Sequence, residues 1–320
     1  MQTSGYSFSK LLTDFDQLAG YFAKWDGRFE QLSAGRFAGR LSLVRGRTVR
    51  LSSVDCNQVI LARGRDDAGL FKLYTVTPAN AGGLWQGRRL APGQLVVHGP
   101  EADTDHITGR RINSVGFTVP AGEMEAAARS LLGGEFKKLP HSWAALTPSP
   151  DLYAEVSARF QAMLNMALAD PTILTSTEGA LLEQECIRAV VRSVVPVDSS
   201  RPDTPPHRRT AVAHRAEELM RAHLYHPVGV VDLCAKIGVS DRTLRLAFRE
   251  RFGIGPMTYY RRVRLSAART ALKTDSSTGV AEVARQFGFH HVGNFAADFR
   301  RLFGERPSET HASAMSSCSK

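Results

Sequence analysis

A chain of 320 residues with a formal net charge of +10 has room for two domains with separate cores. Its four cysteines, Cys56, Cys186, Cys234 and Cys318, stand apart, which excludes a CxxC metal or redox pair and the dense framework of a small secreted protein. No apolar run approaches the roughly 20 residues of a membrane span, and the opening MQTSGYSFSK lacks a basic-then-apolar signal pattern. A reduced, cytoplasmic, soluble protein with no membrane partner, no metal and no cofactor is expected.

The first stretch, from about Ser7 to Asp26, places Phe15, Leu18 and Phe22 at helical spacing and predicts a short helix. From about Arg36 to Val119 the pattern changes to short β-prone runs at 37–44, 49–51, 59–62, 70–76, 94–98 and 114–119, punctuated by Gly, Pro, Asn and Asp. Strands at that spacing predict a sandwich or a small cupin-like barrel, a shape that can enclose one small ligand. From about Gly122 to Val194 apolar residues recur at steps of three and four, as in Leu152, Val156, Phe160, Met163 and Leu164, and again in Leu182, Ile187, Val190 and Val194. These helical faces would pack back on the strands or meet their copies in a second subunit.

The segment Pro196–His207, PVDSSRPDTPPH, holds four prolines that deny helix and sheet their donors. The expected division is therefore an N-terminal domain over 1–195, a linker over 196–208 and a C-terminal domain over 209–316. The fold class expected is a β-rich N-terminal domain with helices, followed by an all-α domain. Charge follows this division. From His207 to Lys320 there are 19 Lys and Arg against 10 Asp and Glu, leaving 22 against 21 for the rest. A basic module suits a polyanion, because each phosphate neutralised releases condensed counterions, although a merely soluble basic surface would carry the same charge.

Within the basic module FRERFGIGP (248–256) is nearly repeated as FRRLFGERP (299–307), pairing Phe248 with Phe299, Phe252 with Phe303, Gly253 with Gly304 and Pro256 with Pro307 at an offset of 51. Upstream the copies align at an offset of 50, Val230–Cys234 on Val280–Ala284 and Gly238 on Gly288. Each unit reads helix, glycine turn, helix, which is the grammar of the helix-turn-helix that lays its second helix in the DNA major groove. The two are expected over 231–252 and 281–303, joined by a long helix that Pro256 starts and Asp275–Gly279 ends.

Ser240 stands where an N-cap is needed, and burying Leu244 and Phe248 turns Asp241, Arg242, Arg245 and Arg249 outward. Arginine can fork to the O6 and N7 of guanine, so Arg242 and Arg245 are expected base readers and Arg249 a phosphate contact; the bland alternative is phosphate contact throughout, or a solvated face. In the second copy Phe295 and Phe299 turn inward, leaving His291 and Asn294 outward, Asn294 suited to adenine. Few long polar groups lie there, so the second helix would read shape and thymine methyls or mostly anchor. The residues expected at DNA are Ser240, Arg242, Thr243, Arg245, Arg249, His291, Asn294 and Arg300. The pairs His290-His291 and His223-His226 lack ligand-spaced partners and are expected to be surface or capping histidines.

Several stretches together resemble the DNA-binding domain of the AraC/XylS family of bacterial transcription regulators. They are LCAKIGVSDRTL (233–244), FGIGP (252–256), Arg264-Leu265 with Ala268, VARQFGF (283–289) and FGERPS (303–308). The resemblance covers about 210–313 and implies two helix-turn-helix subdomains, bridged by a long helix, entering major-groove faces about 34 Å apart. In that family the other half typically binds a small molecule, dimerises, or both. Gly293 and Ala297 depart from the pattern, since many members carry a polar residue and an arginine there. VVDLCAKIGVSDRTLRLAF resembles most the branch of ethanolamine-utilisation operon regulators, as does QLSAGRFAG (31–39), more weakly.

The expected function is a sequence-specific transcription regulator, an activator gated by a small-molecule effector. Its expected partners are double-stranded DNA, RNA polymerase, the effector and a second copy in a homodimer. The alternatives are a β-barrel enzyme with a DNA-binding tail and an architectural DNA binder. A cupin enzyme would show His-x-His with a following Glu and a later His; His98, Glu101 and His106 lack the paired histidines, and no enzyme activity is expected.

Overall fold

The computed structural model describes residues 5–21, 26–65, 69–100, 102–133, 139–140, 142–194, 208–275 and 277–318. The chain divides into two compact units, one of Met1–Phe29, Ala38–Asn57 and Ala62–Thr204, the other of Glu30–Phe37, Gln58–Leu61 and Pro205–Lys320. The linker expected over Pro196–His207 lies outside the described residues, as do Phe22 and Glu101.

The first unit opens with strand β1 (Tyr6–Leu12) and a six-residue helix α1 (Asp16–Tyr21). The helix expected from Ser7 is thus corrected to a strand over its first half. The reason is tertiary: YSFSKLL pairs antiparallel along the whole of β3 (Gly39–Arg45), from Tyr6 opposite Arg45 to Leu12 opposite Gly39, and such a ladder outweighs weak local preference. Next come β2 (Asp26–Gln31), β4 (Arg50–Cys56), β5 (Ile60–Arg65), β6 (Leu70–Thr75), β7 (Leu84–Trp85), β8 (Arg88–Arg89), β9 (Leu95–His98), β10 (Asp103–Ile107) and β11 (Ile112–Pro120). Helix α2 (Ala121–Leu132), β12 (Trp143–Leu146), α3 (Pro150–Ala169) and α4 (Thr177–Val194) follow. Strand β12 interrupts the stretch expected to be helical throughout, because WAAL pairs with β9 from Trp143 opposite His98 to Leu146 opposite Leu95.

A seven-stranded sheet runs β1-β3-β4-β11-β6-β9-β12. One face, with Val44, Leu51, Leu73, Val97 and Phe117, is buried in one core with Val156, Phe160 and Met163 of α3 and Ile187 and Val190 of α4. Phe117 stacks on Phe160 at 5.3 Å. The two amphipathic helices therefore close on their own sheet. On the opposite face Tyr74, Val96, Trp143 and Ala145 pack with Trp85 of the second sheet, where β5, β10, β7 and β8 are neighbours.

The second unit is helical: α5 (Arg208–Ala222), α6 (Val230–Ile237), α7 (Asp241–Phe252), α8 (Pro256–Thr274), α9 (Val280–Gln286), α10 (Val292–Phe303) and α11 (Pro307–Cys318). It also takes in the end of β2 and the start of β5, which lie side by side, Leu32 N donating to Val59 O at 2.7 Å. Phe248 and Phe252 meet Tyr259 of α8 at 5.4 and 4.1 Å, while Phe295, Phe299 and Phe303 of α10 stack in succession at 5.6 and 4.7 Å. Among the described residues no helix is long and apolar enough to cross a membrane.

Candidate nucleic-acid interface

The two copies fold alike. Helix α6 ends at Gly238 (φ 69°), and Val239 N reaches back to Cys234 O at 3.1 Å. Fifty residues on, Phe289 N reaches Ala284 O at 2.9 Å behind Gly288 (φ 74°). Both are the glycine stop that satisfies a helix's last carbonyls. The second helix of each copy, α7 or α10, is 12 residues long, ends at a left-handed glycine, Gly253 (φ 70°) or Gly304 (φ 71°), and gives way to a helix begun by proline.

The copies differ where the offset changes from 50 to 51. In the first, the Ser240 hydroxyl accepts the Thr243 amide at 3.2 Å and pairs with the Thr243 hydroxyl at 2.9 Å, a cap that stabilises a helix start by about 1 kcal/mol. In the second, an extra residue enters the turn and His291 takes the cap position with no side-chain bond to the helix. The first-turn amides of α10 thus have no side-chain acceptor from the cap residue.

The inward residues are those expected: Leu244, Phe248, Phe295 and Phe299 are fully buried. Arg242, Arg245 and Arg249 project to solvent from α7, and His291, Asn294 and Arg300 are exposed at or along α10; Thr243 is half-buried. Among the described residues the side chains of Arg242, Arg249, His291, Asn294 and Arg300 have no hydrogen-bond or ionic partner. Arg245 differs, since its Nε donates to Asp241 Oδ2 at 2.7 Å. That bond, between residues one helical turn apart, raises the guanidinium pKa above its ordinary value and aims the side chain towards the start of α7. Two unpaired arginines and one steered arginine give α7 a positive outer face, and Asn294 gives α10 a donor-acceptor amide.

Residues 233–313 match a family model described as a helix-turn-helix domain. Among the relatives is the probable thc operon regulatory protein of Rhodococcus erythropolis, 36% identical over 100 residues that form 31% of this chain and 30% of that protein. Another is the XylDLEGF operon transcriptional activator 2 of Pseudomonas putida, 32% identical over 98 residues, 30% of this chain and 62% of that one. The C-terminal part of the chain is an AraC-type helix-turn-helix domain. A crystal structure of a probable AraC family transcriptional regulator from Rhodopseudomonas palustris CGA009 is 37% identical, covering 32% of this chain and 97% of that chain, with a TM-score of 0.31. The chain matches less than two thirds of the length of both curated relatives.

The AraC-type domain holds its heads with residues that periodicity does not single out. Arg264 of α8 donates to Phe287 O and Gly288 O at 3.2 and 3.3 Å, pinning the second turn, and lies over the Phe289 ring at 4.8 Å. Asp298 of α10 is gripped by Arg261 of α8 and by Arg301, the latter at 3.1 Å. Under the first head, Tyr259 OH donates to Glu217 Oε1 at 2.7 Å and accepts from Arg221 at 3.0 Å. Burial, together with the Glu217 and Glu30 carboxylates, lifts the Tyr259 phenol well above its ordinary pKa against the opposing pull of Arg221. The signal that would find Glu217 is a carboxylate next to Ala216 and three residues before Met220, on the buried stripe of α5. Among the described residues no group of three His, Cys, Asp or Glu is placed to hold a metal ion.

Proposed function

We propose that this chain is a sequence-specific, DNA-binding transcription regulator of the AraC/XylS kind, an activator whose partners are double-stranded DNA and RNA polymerase. The observation that carries it is the pair of 12-residue helices at an offset of 51, each with phenylalanines inward and unpartnered polar side chains outward. On this reading α7 reads bases through Arg242 and Arg245 and holds phosphate through Arg249. Helix α10 contributes Asn294, His291 and Arg300. Ser240 and Thr243 present the start of α7 to the groove. The module boundaries proposed are 1–195, 196–208 and 209–316. The branch proposed is that of the ethanolamine-utilisation operon regulators, on the strength of VVDLCAKIGVSDRTLRLAF.

The β-rich unit is proposed to be the effector domain, barrel-like in its two facing sheets, cytoplasmic and without enzyme activity, and a homodimer is proposed through this half. Its polar interior supports a small polar ligand. Lys72 and His98 are buried cross-strand neighbours, and Trp85 lies 4.9 Å from His106 and 5.9 Å from His98. Among the described residues Trp85 Nε1 and His106 Nε2 are shut off from solvent with no hydrogen-bond partner, and a buried polar atom left so costs about 1–3 kcal/mol unless something meets it.

The deciding experiment is selection of bound fragments from sheared genomic DNA by the purified protein, with and without cell extract. A shared motif of two short boxes about ten base pairs apart is expected. Retention without any common motif under both conditions would overturn sequence-specific regulation and leave an architectural binder.

A further inference from the structure

The segment Glu30–Phe37 belongs to the DNA-binding unit although it lies far from it in sequence. It reaches both heads. At one end the Glu30 carboxylate accepts from Arg221 of α5 at 2.7 Å, joining the Arg221–Glu217–Tyr259 cluster beneath the first recognition helix. At the other, Gln31 Nε2 donates to Leu302 O at 2.6 Å, and Gly35 N lies 3.1 Å from both Arg301 O and Leu302 O. Those carbonyls end α10, where a helix leaves acceptors without intrahelical donors. A Cβ on Gly304 would come within 2.8 Å of the Arg36 backbone.

The segment is built to hold this shape. Gln31 Nε2 also donates to Ser33 O and Gly35 O at 2.9 and 2.6 Å, and Gln58 Nε2 donates to Arg36 O at 3.1 Å. Leu32, Phe37, Ile60 and Leu61 are all buried. The hydrogen bonds of Gln31 and Gly35 reach α10 through the Arg301 and Leu302 carbonyls at the helix end, and none of them involves Arg242, Arg245, Arg249, His291, Asn294 or Arg300.

We propose that Glu30–Phe37 is an alignment brace: it fixes the spacing and phase of the two recognition helices, and so sets which separation of DNA boxes the protein accepts. The proposal rests on the two-headed reading above. A linked pair of heads without the brace would bind through α8 alone and adapt to several separations. A braced pair is tuned to one, since each base pair added turns the second box by about a tenth of a turn.

The test uses the full-length protein and a selected two-box fragment, the same fragment with one base pair inserted or removed between boxes, and the fragment with one box scrambled. Wild type should lose at least tenfold in affinity with either spacing change. Gln31→Ala and the double variant Glu30→Ala/Gln31→Ala should lose less than threefold, while binding the one-box fragment as wild type does. Glu30→Ala alone leaves Arg221 paired with Glu217 and serves if the double variant fails to fold by circular dichroism. Variants that keep the wild-type spacing penalty would overturn the brace and leave the two-headed reading standing. A wild type indifferent to spacing would overturn both.

Discussion

Gly253 and Gly304 end the two recognition helices at the same backbone angle, φ 70° and 71°, yet a methyl group added to each meets different surroundings. At Gly253 nothing among the described residues lies within 4 Å of the new Cβ, whereas at Gly304 it would stand 2.6, 2.7 and 2.8 Å from Arg36 Cβ, N and Cα. Gly253→Ala should therefore cost only left-handed strain, about 1 kcal/mol. Gly304→Ala carries the same strain and must also push aside a stretch of backbone. That movement removes the Gln31 and Gly35 hydrogen bonds to the end of α10, each contributing about 1 kcal/mol, for a total of about 2–4 kcal/mol. Urea unfolding of both variants, followed by far-ultraviolet circular dichroism at matched slope, measures the difference. Native-state hydrogen exchange should show the Gly35 amide losing protection in Gly304→Ala and keeping it in Gly253→Ala. Equal destabilisation, within about 0.5 kcal/mol, with Gly35 protected in both, would mean that Arg36 does not sit against Gly304 and would refute the reasoning.

Arg242→Ala should relax preference at one or two base pairs, by about 1–3 kcal/mol at the position it reads. A uniform fall across all sequences in a competition assay would make it a phosphate contact instead. Ser240→Ala should destabilise the first head by about 1 kcal/mol through loss of the cap, whereas His291→Ala should leave thermal stability nearly unchanged because His291 caps nothing; a reversed order in calorimetry would contradict the cap assignment. Burial lowers the His106 pKa from 6.5 to about 4, with Asp105 opposing. The unfolded chain then binds a proton that the folded one refuses. Stability fully present above pH 6.5 should be lost as pH falls towards 4, by at most about 3 kcal/mol. The unfolding midpoint should drop across that window in wild type and much less in His106→Gln; a flat wild-type profile would overturn the buried neutral imidazole.

The helical half was legible because its signals are local. Gly238, Ser240, Gly253 and Pro256 each punctuate the chain by their own backbone or side-chain chemistry, and Leu244 and Phe248 mark the inward face by spacing alone. The β-rich half was legible only where a run was apolar. Strand β10, DTDHI, carries too much charge to announce itself, and β7 and β8 are two residues each. Strand β1 does not announce itself because its identity comes from pairing with distant residues, from Tyr6 opposite Arg45 to Leu12 opposite Gly39. Non-local polar partners left no trace in any window. Glu183, inside an amphipathic helix, accepts the amides of Arg47, Thr48 and Val49 at 2.7, 2.8 and 3.1 Å and so holds the turn between β3 and β4. At the candidate interface the outward arginines are visible from spacing, and Asp241 and Arg245 stand at the i,i+4 spacing of a helical ion pair, whereas the grip of Arg261 on Asp298 joins two helices and leaves no mark in either.

The membership of Glu30–Phe37 and Gln58–Leu61 in the helical unit bears on how such a protein can be cut and rejoined. A tail severed at Pro205 and grafted onto a foreign sensor would leave those two short pieces behind. The carbonyls at the end of α10 would then face water, and Arg221 would keep Glu217 but lose Glu30. The helical unit is thus completed by two short pieces from the first 61 residues. A graft that carries its own matching piece of the N-terminal half is expected to keep those contacts.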